Sequence, residues 1–190
     1  METLERRAFI KGAATGALAF TVGGSQVFLT PRQAYAQGVP LRTLSADEAK
    51  TLEALGETLV PGARDTGVVQ FIDQQISGPA NEALLEARIL NVRLPYANFY
   101  HAALGAVDRV SQAQGKRFVE LDASAQHDFV DRMRQNKLEG WQGPPPPFAY
   151  TLLRADAVDV VYGTMSGYEA LGIPYMAHIA PTTRWLDADQ

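Results

Sequence analysis

The chain has no cysteine among its 190 residues. That excludes a disulfide framework, thiolate zinc sites, iron–sulfur clusters and haem attached through C-x-x-C-H. Histidine is scarce, with three copies, none paired at a metal-ligand spacing and none in an H-E-x-x-H. Basic charge is also short: 17 Lys and Arg stand against 21 Asp and Glu, a formal net charge of −4. Without a Lys/Arg-rich run, or aromatics interleaved with arginines, nothing points to nucleic acid or an anionic membrane surface. No Gly-rich dinucleotide fingerprint follows a strand and no P-loop occurs. Sustained period-2 alternation is missing too, which argues against a β architecture.

What is present starts at the N-terminus. Arg6-Arg7-Ala8-Phe9-Ile10-Lys11 matches the twin-arginine signal pattern, with Arg6, Arg7, Phe9 and Lys11 as its recognition residues. The stretch from Gly12 to Leu29 is only mildly apolar, diluted by Thr15, Gly16, Thr21, Gly23, Gly24, Ser25 and Gln26. It is too polar for a membrane span of about 20 residues and reads as a signal h-region. Pro31 and Arg32 precede Ala34-Tyr35-Ala36, an A-x-A cleavage signature with Ala34 and Ala36 as its small residues. Residues 1–36 are therefore expected to be a signal peptide and 37–44 a linker, and the protein is expected in the periplasm. The twin-arginine translocase carries folded cargo, commonly cargo loaded with a cofactor. A small chain without a cofactor motif gains a reason for this route if it escorts a loaded partner.

Residues 45–162 read as one helical domain. Ser45-Ala46-Asp47-Glu48 is a capping box, and Leu52, Leu55 and Leu59 share a face until Pro61-Gly62. Asp65 or Thr66 is expected to cap a helix with Val69, Ile72 and Ile76 inward and Gln70, Asp73 and Gln74 outward. After Gly78-Pro79 comes a helix with Leu85, Ile89 and Val92. Pro95 opens a longer one carrying Phe99, Ala103, Val107 and Val110, which stops at Gly115. Leu121-Asp122 leads into Phe129, Val130 and Met133. Gly140 to Pro147 is expected to be an exposed, extended loop, followed by a last helix over 148–162. From Gly163 onward Gly167, Gly172, Pro174 and Pro181 break the periodicity, while the segment stays apolar; 163–190 is read as a partner-binding tail. The fold class is all-α, a single small bundle of about five or six helices with an irregular apolar C-terminal tail.

Candidate chemistry is thin. His101 falls on a helix edge with Asn98, Asp108 and Gln112, and His127 stands one turn before Asp131. Both read as surface residues. His178, among Tyr175, Met176 and Ile179, reads as a contact residue. Ser166 lacks the glycine frame of a nucleophile elbow. Asp156 and Asp159 read as solvated carboxylates near Arg154. No catalytic, cofactor or metal residues are expected in this chain.

Three stretches resemble one family. They are the twin-arginine start; Thr58-Leu59-Val60-Pro61-Gly62 followed by Gly67-Val68-Val69-Gln70-Phe71-Ile72-Asp73; and Tyr162-Gly163…Gly167-Tyr168-Glu169-Ala170-Leu171-Gly172-Ile173-Pro174-Tyr175. In order, they resemble the gluconate 2-dehydrogenase subunit 3 family and the related small subunits of sorbitol, fructose and glucose dehydrogenases. Gly163-Thr164-Met165 stands where that family usually has G-G-N. The resemblance implies a non-catalytic small subunit. Its large partner would be a FAD-containing dehydrogenase of the glucose-methanol-choline type, passing electrons to a multihaem cytochrome c or, where haem c is absent, an iron–sulfur or similar carrier. The small subunit would help the flavoprotein mature and escort it through the translocase, touching the outer face of the inner membrane only through the complex. Tyr168, Tyr175, His178 and Trp185 are the expected interface residues, since aromatics anchor interface centres. Two other readings are a stand-alone periplasmic binding or scaffold protein and a small periplasmic enzyme built around His178.

Overall fold

The computed structural model describes residues 16–173. Arg6, Arg7, Phe9 and Lys11 at one end, and Tyr175, His178 and Trp185 at the other, lie outside the described residues.

Two strands come first, β1 (Leu18–Val22) and β2 (Ser25–Leu29), paired antiparallel with Val22 opposite Ser25 and Leu18 opposite Leu29. The two residues between them, Gly23 and Gly24, have φ of 58° and 83°. Two successive positive-φ residues make the tight hairpin turn that suits the strand twist, and glycine takes it without strain. The fold is thus mostly helical but not strictly all-α, because this hairpin occupies part of the stretch expected to be a signal h-region.

The helices follow: α1 (Pro31–Ala36), α2 (Ala46–Leu59), α3 (Val68–Ser77), α4 (Glu86–Ile89), α5 (Tyr96–Ala113), α6 (Ala123–Arg134), α7 (Pro146–Tyr162) and α8 (Met165–Ala170), with a 3-10 turn at Phe118–Glu120. Five of them span ten residues or more. The capping box expected at Ser45 forms: its hydroxyl accepts from the Glu48 N–H, while the Glu48 carboxylate accepts from the Ser45 N–H. Asp122 likewise caps α6 by accepting from the Ala125 N–H.

Three expectations need correction. α3 is not capped by Asp65 or Thr66; Gly67, in the left-handed region at φ 81°, starts it with no side-chain cap. Thr66 is unavailable because its hydroxyl donates back to the Gly62 carbonyl. The helix expected around Leu85, Ile89 and Val92 is only the single turn α4. It ends at Asn91, which takes a left-handed φ of 52°, and it leaves Ile89 outward. The proline loop is shorter than expected, since Pro146 and Pro147 form the first turn of α7 and Pro146 is buried. A proline at the first helical position loses no hydrogen bond and brings its φ ready-set.

Helix α2 is the hub. It packs against α3, α5, α6, α7 and the 3-10 turn. Leu52, Leu55, Ile72, Tyr100, Leu104, Phe118, Phe129, Met133, Leu152 and Leu153 are essentially sealed from solvent in one core. Phe118 and Phe129 meet edge-to-face at 5.3 Å, and Phe99 does the same with Tyr100 and Phe148. A second, smaller apolar cluster joins Phe20 of the hairpin, Ala34 of α1 and Val39. Among the described residues no helix is long and apolar enough to cross a membrane.

Candidate functional site

The histidines within reach are structural or exposed. His101 Nδ1 lies 2.6 Å from Glu48 Oε1, tying α5 to the first turn of α2 rather than standing in solvent alone. His127 is exposed, and its expected neighbour Asp131 binds Arg134 at 2.7 Å and also Gln135. Ser166 is exposed near the start of α8, its hydroxyl 3.1 Å from that of Thr164. Among the described residues no group of three His, Asp or Glu side chains could hold a metal ion.

Two aspartates read from sequence as solvated are instead interior clamps. Asp73 of α3 is buried, and its carboxylate accepts from three successive N–H groups: Arg42 at 2.8 Å, Thr43 at 2.9 Å and Leu44 at 2.8 Å. It fixes the segment entering α2, so the expected linker has no regular structure yet is pinned. Asp156 of α7 has no exposed surface. It accepts from the Glu86 N–H at 2.9 Å and from the Tyr100 hydroxyl at 2.7 Å, joining α4, α5 and α7. Burial pushes its carboxyl up to about 7, and the nearby charges of Asp159 and Glu86 push the same way, against the two hydrogen bonds. Burial and the adjoining Asp156 likewise raise the Tyr100 hydroxyl well above its ordinary value. Asp159 is raised by its partial burial and by the nearby charge of Glu86.

A signal for Asp156 was present. Ala149, Leu152, Leu153, Ala157 and Val160 form the buried stripe of α7, and position 156 lies in the middle of it. An aspartate there must be paired or protonated. Asp73 stands four residues after Val69 and one after Ile72, again on the inward face.

Among the described residues, the Asp156 clamp holds the segment that carries the largest run of outward apolar side chains. Leu85 and Ala87 point inward with no exposure. Leu84, Ile89, Leu90 and Leu94 point outward, exposed by 57%, 69%, 40% and 56%. Beyond the end of α7, Met165, Leu171 and Ile173 are also about half exposed. Both groups border the C-terminal half of α7: Asp156 holds Glu86, the Glu86 charge acts on Asp159, and α8 packs back on α7. The approach of α8 is close enough to require Gly167, whose Cβ would sit 2.5 Å from Tyr162 Cα. Single exposed leucines need no explanation, but four large apolar side chains on one short clamped segment mark a candidate interaction surface, and Met165, Leu171 and Ile173 add three more at the far end of α7.

Of the expected interface residues, Tyr168 falls among the described ones and is half-buried in α8, between the exposed Met165 and Leu171. The expected cleavage residues lie elsewhere. Ala34 is fully buried within α1, and Ala36 is exposed at its end. Sequence reading missed the 84–94 segment because its apolar spacing was assigned to a buried helix.

Comparison with known proteins gives one match. The family model described as gluconate 2-dehydrogenase subunit 3 matches residues 46–176, from the first residue of α2 past the end of α8. No curated protein and no solved structure matches the chain. The matched span holds the five long helices, both clamp aspartates and both apolar segments; the chain belongs to the gluconate 2-dehydrogenase subunit 3 family, the small subunits of dehydrogenase complexes.

Proposed function

We propose that this chain is the non-catalytic small subunit of a periplasmic FAD-dependent dehydrogenase complex acting on a sugar, polyol or sugar acid. It docks on a large flavoprotein subunit of the glucose-methanol-choline type, stabilises that subunit's folded form and escorts it through the twin-arginine translocase. The flavoprotein does the hydride chemistry and hands its electrons to a cytochrome c or similar carrier.

The observation that carries this reading is the outward apolar face of 84–94 and 165–173. Asp156 holds the 84–94 part from within through the Glu86 N–H, and family membership stands behind the reading. A pre-organised apolar face loses little entropy on docking. Binding only the folded partner stabilises it by mass action, about 2.7 kcal/mol when the subunit stands at 100 times its dissociation constant.

The test is an affinity pull-down from the native host with a C-terminal tag. The wild-type chain brings down a much larger protein with a flavin spectrum and dye-linked dehydrogenase activity. The double substitution Ile89→Glu/Leu94→Glu, at exposed positions, leaves the circular dichroism unchanged and loses the flavoprotein. A wild-type chain that returns alone and colourless overturns the proposal. Full retention of the flavoprotein by the double variant overturns the assignment of this face.

A further inference from the structure

The Ala34-Tyr35-Ala36 signature lies inside the fold. Ala34 has no exposed surface and packs with Phe20 and Val39. Its N–H donates to the Thr30 carbonyl at 2.9 Å, and its own carbonyl accepts from Val39 at 3.0 Å. The N–H of Gln37, in the bond that would be cut, donates to the Gln33 carbonyl at 3.0 Å. A capping box between Thr30 and Gln33 closes the other end of the helix. The unit is also docked on the bundle. Pro31 lies so close to Gly67 that a Cβ there would stand 2.2 Å from the Pro31 carbonyl oxygen. Gln74 of α3 donates to the Ala19 carbonyl at 3.3 Å. Just downstream, Asp73 holds residues 42–44.

Peptidases that read small residues at alternate positions take the substrate as an extended strand, the geometry in which alternate side chains enter pockets. Here those residues are helical, with one of them interior. Cutting requires the hairpin–α1 unit to open locally, and susceptibility is governed by burial and hydrogen bonding rather than by the motif. We infer that the bond after Ala36 is closed to a signal peptidase once the chain has folded. The exported protein therefore keeps its twin-arginine segment as a covalent N-terminal extension. The inference rests on the twin-arginine reading, because that route presents cargo to the peptidase already folded.

The experiment is intact-mass spectrometry of the protein purified from the exported fraction of its host. Three full-length chains are compared: wild type, Val39→Asp, and Arg6→Lys/Arg7→Lys. Val39 lies outside the signal-like segment and belongs to the small satellite cluster rather than the main core, so its replacement opens the N-terminal unit while the bundle, checked by circular dichroism, stays folded. The expected result is a wild-type chain that extends upstream of residue 16, a Val39→Asp chain that begins at Gln37, and no export of the double-lysine chain. A wild-type chain beginning at Gln37, with export still blocked by the lysines, overturns retention and leaves the export reading standing. A Val39→Asp chain as intact as wild type overturns docking as the cause. Undiminished export of the double-lysine chain overturns the twin-arginine reading and this inference with it.

Discussion

Replacing Asp156 with asparagine should remove most of one specific pH dependence of stability. In the folded chain the carboxyl sits without solvent between the Tyr100 hydroxyl and the Glu86 N–H, and burial lifts it to about 7 from its ordinary 3.8. Between those two values the folded state holds a proton that the unfolded state has released. Stability therefore falls as pH rises through this window, by up to about 1.4 kcal/mol per pH unit. Across the whole window the loss is on the order of 4 kcal/mol, a large share of the roughly 5–15 kcal/mol that holds a domain together. The stabilisation is complete below the ordinary carboxylate range and gone above pH 7. Asparagine has the same shape and stays neutral, so it resembles the protonated acid at every pH. The assay is urea unfolding followed by circular dichroism, for both proteins, at intervals from pH 4.5 to 8. The difference in unfolding free energy, wild type minus variant, should decline steadily as pH rises. Parallel curves would refute the reasoning, and so would a wild type that gains on the variant at pH 8. Parallel curves would mean that the two hydrogen bonds offset burial, and a gain at pH 8 would mean that they outweigh it and favour the charged carboxylate.

Two further outcomes follow from the clamp and the docking seam. Asp73→Ala removes the buried carboxylate, orphans the three N–H groups that donate to it and should cost about 3 kcal/mol or more; hydrogen exchange at residues 42–44 should rise even where the rest of the chain stays protected. Gly67→Ala places a methyl against Pro31 at a left-handed φ, a backbone cost of roughly 1–2 kcal/mol before the clash. It should make 18–36 sensitive to protease at enzyme levels that leave the wild type whole.

Much of the bundle was legible because its helices announce themselves locally. Ser45 with Glu48, Asp122 before Ala123, and the Phe99–Ala103–Val107–Val110 stripe all combine a cap or a period with a clean stop. The misses share a different cause. A carboxylate in an apolar stripe is favourable only when distant backbone or hydroxyl donors reach it, and Asp156 draws its partners from 56 and 70 residues away. No local pattern contains those donors. The hairpin did leave a signal, Gly23-Gly24 between two apolar runs, the two-residue turn that pairs strands. It was outvoted by the signal-like features on either side. At α4 the apolar spacing was real, but eight residues with a left-handed Asn91 can make one turn and no more, and the same spacing then describes a surface rather than a core. Tyr168 is expected at an interface because the segment around it is too apolar to stand in water, and it lies half-buried in α8; the tail residues Tyr175, His178 and Trp185 lie outside the described residues.

The inward and outward halves of the 84–94 segment are chemically independent. Leu85, Ala87 and the Glu86 N–H set its position, and none of these groups is on the outer face. Leu84, Ile89, Leu90 and Leu94 can therefore be exchanged for side chains of other size or polarity without disturbing the bundle beneath. A scaffold arranged in this way offers four outward residues on one segment that can be changed independently of the fold, which is an economical starting point for redesigning this face.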